Sequence, residues 1–260
     1  MKQLAAILTL SLVTIMAHAE VHTEAVAYKQ GDTALEGYLA YDTAVQGKRP
    51  GVLIVHDWMG PGKFSNGRAE ELAKLGYVAF AVDIYGKDVR PKDPKEAGVQ
   101  AGKFKGDRKL LRERVLAGLE VLKARDNVDA TKIAAIGYCF GGTTVLELGR
   151  AGAPVAGIVT FHGGLDNPAP EDGKNIKGKV LVLHGADDPF VPADQVAAFE
   201  DEMRKGGVDW ELVKYSKAVH AFTNPAAGSD NSKGAAYNEL ADKRSWQAMK
   251  DFFAEIFAAK

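Results

Sequence analysis

The sequence predicts an α/β fold: a mostly parallel, doubly wound sheet with helices on both faces. Two observations carry this. Short continuous apolar runs recur along the 260 residues, and stretches with helical spacing separate them. A third is that no internal repeat, low-complexity tract or Pro/Ser linker divides the chain, so residues 20–260 are read as a single domain.

The elements follow in order. Ala25 to Tyr28 and Leu35 to Tyr41 predict two opening strands around a Gly31-Asp32 turn, an antiparallel hairpin. Pro50 to Val55 is a continuous apolar run of the kind buried on both faces of a parallel sheet. A short helix is predicted from Asn66 to Leu75, closed by Gly76, and Tyr77 to Val82 is the next buried strand. Ile84 to Gly106, rich in Lys, Asp, Gly and Pro, is predicted as one long irregular stretch, either a lid or binding loop or a surface excursion. Leu111, Val115, Leu119 and Leu122 then share one face of a helix. Lys132 to Gly137, Val155 to Phe161 and Val180 to His184 are further short strands. Helical patterns fall at Gly142 to Arg150 and at Val196, Phe199 and Met203. Trp210 to Tyr215 is the last strand, and Trp246, Met249, Phe253 and Ile256 form the apolar stripe of a closing helix.

The N-terminus has a different character. Lys2, the 13-residue apolar run Leu4 to Met16 and the Ala17-His18-Ala19 end form the pattern of a cleaved secretory signal. The run is short of the roughly 20 residues a membrane span needs. Residues 1–19 are therefore read as a signal peptide and the protein as periplasmic or secreted. A net charge of −1 offers no general attraction to nucleic acid or anionic lipid, so neither is expected as a partner once the signal is removed. Cys139 is the only cysteine, which excludes an intramolecular disulfide and a disulfide-stapled scaffold.

The chemistry is concentrated at strand ends. Gly137-Tyr-Cys-Phe-Gly-Gly142 lies directly after a predicted strand and before a predicted helix. This is the strand–turn–helix context of a nucleophile elbow, with cysteine as the nucleophile. A tight turn brings the residues two before and two after Cys139 close to neighbouring backbone, where glycine fits. The amide of Phe140 would be one oxyanion donor, at a helix N-terminus whose dipole also favours a thiolate. Val180 to Pro192 is a strand ending in a carboxylate turn; Asp187 or Asp188 could orient a histidine, and the Asp-Pro-x-Val-Pro continuation favours Asp188. His220 follows the last strand. The chain order nucleophile, acid, histidine is that of α/β-hydrolase triads.

On Gly137-Tyr-Cys-Phe-Gly-Gly142, Asp188-Pro-Phe-Val-Pro192, Ala218-Val-His-Ala-Phe222, His56-Asp-Trp-Met-Gly60 and Val82-Asp-Ile-Tyr-Gly86, the sequence resembles the dienelactone hydrolase family of α/β-hydrolases from about Glu24 to Phe257. The resemblance implies Cys139 as nucleophile, His220 as base and Asp188 as its orienting acid. It also implies the backbone amide of Trp58 as second oxyanion donor and Asp57 as a carboxylate that contacts the resting thiol. Two family positions that hold an anionic substrate with arginine correspond to Lys87 and Asn224, which implies a substrate other than dienelactone itself. A monomer is the family's default.

Other histidines carry smaller expectations. His162, at a strand end, could reach the pocket floor and touch substrate; His56 is expected to hydrogen-bond locally and His184 to be structural. The histidines are too scattered for a zinc site, and no nucleotide motif is present, so no cofactor is expected. The sequence thus predicts a cofactor-free hydrolase of lactone or carboxylic ester bonds acting through a Cys-His-Asp triad and an acyl-enzyme. The alternative is a non-catalytic exported binding protein, or a thiol that responds to redox state, on a hydrolase scaffold.

Overall fold

The computed structural model describes residues 20–258, so the expected signal segment 1–19 lies outside the described residues. The chain opens on the expected hairpin, β1 (Val21–Gln30) and β2 (Thr33–Asp42), in a register that pairs Tyr28 with Leu35. The strands β3 (Arg49–Val55), β4 (Val78–Val82), β5 (Val128–Tyr138), β6 (Gly157–Phe161), β7 (Lys179–Gly185) and β8 (Trp210–Tyr215) follow. Together they make one eight-stranded sheet in the order β1-β2-β4-β3-β5-β6-β7-β8. β2 runs antiparallel to β4, and every later pair is parallel. The central strands β4 and β6 are buried along their whole length, which is why they read as continuous apolar runs.

Helices cover both faces. α1 (Lys63–Lys74) and α6 (Glu239–Ile256) pack Leu72, Met249 and Phe253 against Ile54 and Ile136. The other face receives α2 (Pro94–Gly106), α3 (Arg108–Lys123), α4 (Phe140–Arg150) and α5 (Ala193–Gly206), with Phe104, Leu119, Leu146 and Phe199 against Leu53 and Phe80. Each such side chain taken fully out of water contributes about 1.5–3 kcal/mol. Helix α2 corrects the expectation of one irregular stretch from Ile84 to Gly106. Asp93 caps it by accepting the Glu96 amide at 2.9 Å, and Pro94 starts it, but only Ala97, Ala101 and Phe104 are buried. Three glycines and a sparse apolar stripe hide a helix from periodicity alone.

All eleven residues of α4 are buried, including Glu147 and Arg150. Arg150 grips Glu202 of α5 through two nitrogens, at 2.8 and 2.7 Å, and Glu147 at 3.0 Å. Arg112 of α3 completes the group by donating to Glu147 at 2.7 Å and to Asp172 at 2.7 Å. Three helices are thereby joined through Glu147, Arg150 and Glu202, which are buried, and Arg112, which is partly exposed.

Such a pair is costly to break from one side, because the partner charge stays buried. Arg150→Ala is expected to lower stability by about 3–5 kcal/mol, read as a fall in the urea midpoint. An unchanged midpoint would show that the network carries no weight.

Candidate active site

Parallel register brings the chemistry together. Val55 pairs with Gly137, Tyr138 with Phe161, Phe161 with Leu183 and Gly185 with Tyr215, so five strands end at one level. Asp57, Cys139, His162, Asp188 and His220 follow those ends, the position where open α/β sheets bind ligands.

Cys139 sits in the turn between β5 and α4 with φ of 54°, a left-handed conformation that is unusual for a side chain other than glycine. Its amide donates to the Phe161 carbonyl at 3.1 Å. The flanking glycines are sterically required. A Cβ on Gly137 would lie 2.0 Å from the Gly141 carbonyl oxygen, and one on Gly141 would lie 2.3 Å from that of Val55. Cys139 is half-buried and free, and the Phe140 amide, first in α4, has no partner within its own helix.

His220 donates from Nδ1 to Asp188 Oδ2 at 2.8 Å, and Asp188 Oδ1 accepts the Phe190 amide at 2.9 Å. Of the two acids it is Asp188, which is buried, that contacts His220, whereas Asp187 is exposed. The loop bearing His220 is tied down by its amide to the Gly234 carbonyl at 3.1 Å and by the Ala236 amide to the His220 carbonyl at 3.0 Å. Burial opposes charge on His220, but Cys139 and Asp188 outweigh it and lift its pKa to about 10.

A cavity of about 650 Å³ opens over these groups and is lined by Asp57, Trp58, Cys139, Phe140, His162, His220 and Asn224. It thus brings together eight of the nine residues singled out from the sequence when buried Asp188, behind His220, is counted. Of the four described non-glycine residues with positive φ, Cys139, His162 and Ala221 line it. Asp57 accepts the Met59 amide at 2.8 Å and a long contact from Asn224 Nδ2 at 3.5 Å, and burial raises its pKa. His162 reaches the floor as expected. Its Nε2 contacts the Thr223 hydroxyl at 2.8 Å, and burial followed by the charge of His220 holds its pKa well below the usual value. His56 is also neutral: burial lowers its pKa to about 4, and it bonds the Asp57 carbonyl at 2.6 Å, the local role expected of it.

Lys87 is the exception. The turn at Gly86 returns the chain to β2, where the Lys87 amide bonds the Ala34 carbonyl at 2.9 Å and its ammonium pairs with Glu36 at 3.2 Å. It does not line the cavity. Sequence reasoning in turn missed Lys105 and Ala101, which reach the cavity on α2, and Phe190, although Phe190 stood within a quoted motif. A second hollow of about 720 Å³ adjoins the first across Asp57, Met59, Phe64, Asn224 and Ala226. Among the described residues no cluster of three potential metal ligands occurs, and no helix is long and apolar enough to cross a membrane.

Comparisons with known proteins bear on the family and the fold. The family model described as "Dienelactone hydrolase family" matches residues 35–257. A solved dienelactone hydrolase-like promiscuous phosphotriesterase from metagenomic libraries is 41% identical, with a TM-score of 0.87 over 93% of this chain and 100% of its own. The dienelactone hydrolase of Anabaena variabilis, 21% identical with a TM-score of 0.65 over 88% of this chain and 98% of its own, shares the fold. A Synechocystis protein carrying the provisional name carboxymethylenebutenolidase is 27% identical over 90% of this chain and 97% of its own.

Because folding raises the His220 pKa from 6.5 to about 10, the folded protein binds the extra proton between those values and the unfolded chain does not. The stabilisation is complete below pH 6.5 and is lost as pH rises towards 10. The melting temperature of the native protein should therefore fall more steeply over that range than that of His220→Gln. Parallel slopes would contradict a charged His220.

Proposed function

Because the chain belongs to the dienelactone hydrolase family, and is so a hydrolase of lactone or ester bonds, we propose that it cleaves a small lactone or carboxylic ester through Cys139, His220 and Asp188. The observation that carries the reading is the His220–Asp188 hydrogen bond at 2.8 Å in the same cavity as a cysteine held in a strained elbow. The Cys139 thiolate attacks the carbonyl carbon, and the amides of Phe140 and Trp58 receive the oxyanion. Cys139 is the largest of the influences raising the His220 pKa. Once sulfur is bonded to that carbon the pull disappears, and the tetrahedral intermediate breaks its C–O bond as His220 gives its proton to the leaving oxygen, leaving the thioester. Neutral His220 then takes a proton from water, which attacks the thioester and frees the acid.

Asp57 and Asn224 stand side by side at the cavity wall, in a long contact of 3.5 Å. With Lys87 turned to Glu36 and Asn224 uncharged, the reading favours a substrate other than dienelactone. Export to the periplasm or medium belongs to the same reading and rests on the pattern of residues 1–19. The likeness to a promiscuous phosphotriesterase at 41% identity supports a second substrate class, neutral phosphotriesters, attacked by the same thiolate.

Purified protein should hydrolyse p-nitrophenyl acetate faster than a dienelactone, and Cys139→Ala should lose roughly 1000-fold or more of that rate. Wild-type turnover in the alanine variant would remove the nucleophile assignment. Iodoacetamide should alkylate Cys139 roughly tenfold more slowly in His220→Ala, because no base then stands beside the sulfur to take its proton. A rate indifferent to His220 would instead mark a passive thiol.

A further inference from the structure

Two aromatic rings stand exposed at the mouth of the Cys139 cavity. Trp58 is 38% and Phe190 58% exposed, and both line the cavity. They come from different loops, one after β3 and one after β7, yet the backbone of each is pinned. The Tyr85 hydroxyl donates to the Trp58 carbonyl at 2.8 Å, and the Phe190 amide donates to Asp188 at 2.9 Å. The Phe190 ring meets His220 edge-on, with centroids 5.4 Å apart and planes at 87°. Large apolar side chains held in water beside a reactive group are the usual mark of a binding surface.

The rest of the wall specifies what fits. Ala101, Val191, Ala226, Ala227 and Ala235 are small and apolar. The two lysines that line the cavity each have a carboxylate partner, Asp166 at 3.4 Å from Lys105 and Asp230 at 3.8 Å from Lys233. Asp166 also serves Arg108, and the Asp57 carboxyl lies on the same wall, so the lining is no cluster of free cations built for an anionic group. The rings therefore face a neutral ligand, and flat aromatic surfaces pack well on both by stacking or edge contact.

We propose that Trp58 and Phe190 are the specificity-determining pair of this enzyme and clamp a flat, neutral aromatic group on the alcohol side of the ester. This rests on the hydrolase reading above. The side follows from His220: the group that receives its proton is the leaving oxygen, and Phe190 lies against that imidazole. An arm stacked on Trp58 also fixes the carbonyl relative to the Trp58 amide, the expected oxyanion donor, so binding and orientation come from one residue.

The test compares benzyl acetate with ethyl acetate, whose leaving oxygens are alike. In Phe190→Ala and in Trp58→Ala the benzyl-to-ethyl ratio of kcat/KM should fall about tenfold, carried by KM, and Trp58→Phe should restore most of it. An unchanged ratio in both alanine variants overturns the clamp. Protection of Cys139 from iodoacetamide by benzyl alcohol supplies a readout without turnover. It should need about tenfold more alcohol in Phe190→Ala, and equal protection in both proteins counts against the clamp. A protein that cleaves no ester but shows protection dependent on Phe190 loses the hydrolase reading and keeps the clamp.

Discussion

At the elbow, main chain touches main chain. Gly137 lies against the Gly141 carbonyl, Gly141 against the carbonyls of Val55 and His56, and a Cβ on Gly142 would come within 2.6 Å of the Gly163 backbone. Three strands and one helix therefore approach more closely than side chains would allow. The left-handed backbone of Cys139 persists because these contacts leave it no other place to go. Gly185 extends the same device to the histidine loop, since a Cβ there would lie 2.7 Å from the carbonyls of Ala218 and Val219. The geometry of the site is thus set by absent side chains as much as by present ones.

Behind the elbow the requirement is reversed. Helix α4 has no solvent face, so it must be held by what lies around it. Its apolar residues meet the sheet, and its two charged ones meet α3 and α5 through Arg112 and Glu202. Ion pairs this deep add little net stability over a well-packed apolar core, but they fix which partner lies where. A helix whose first turn carries the expected oxyanion donor gains from that fixed placement.

Much of this was legible because burial on both faces writes itself into the sequence as Val- and Ile-rich runs. Pro50 to Val55, Tyr77 to Val82 and Val180 to His184 fell within a residue or two of β3, β4 and β7. The elbow was legible for the same local reason, as glycine spacing around one cysteine. Helix α2 was not, because its packing rests on Ala97, Ala101 and Phe104 while Gly98, Gly102 and Gly106 weaken the pattern. Lys87 shows the other limit. Its position followed from a motif, but its direction was set by the turn at Gly86, a property of backbone conformation and not of residue type. Phe190 lay within a quoted motif, yet its ring's use depends on a loop contributed by a distant part of the chain.

The order of strands also governs when the molecule can exist. β3 is flanked by β4 and by β5, so Ile54 finds one neighbour in Ala81 and the other only in Ile136. A ribosome must reach the end of β5 before the centre of the sheet can close, and until then only the strands β1 to β4 have partners among themselves. Distant pairing is slow to form because loop closure precedes the contacts that reward it. The sheet is complete only when β8 joins β7, close to the end of the chain.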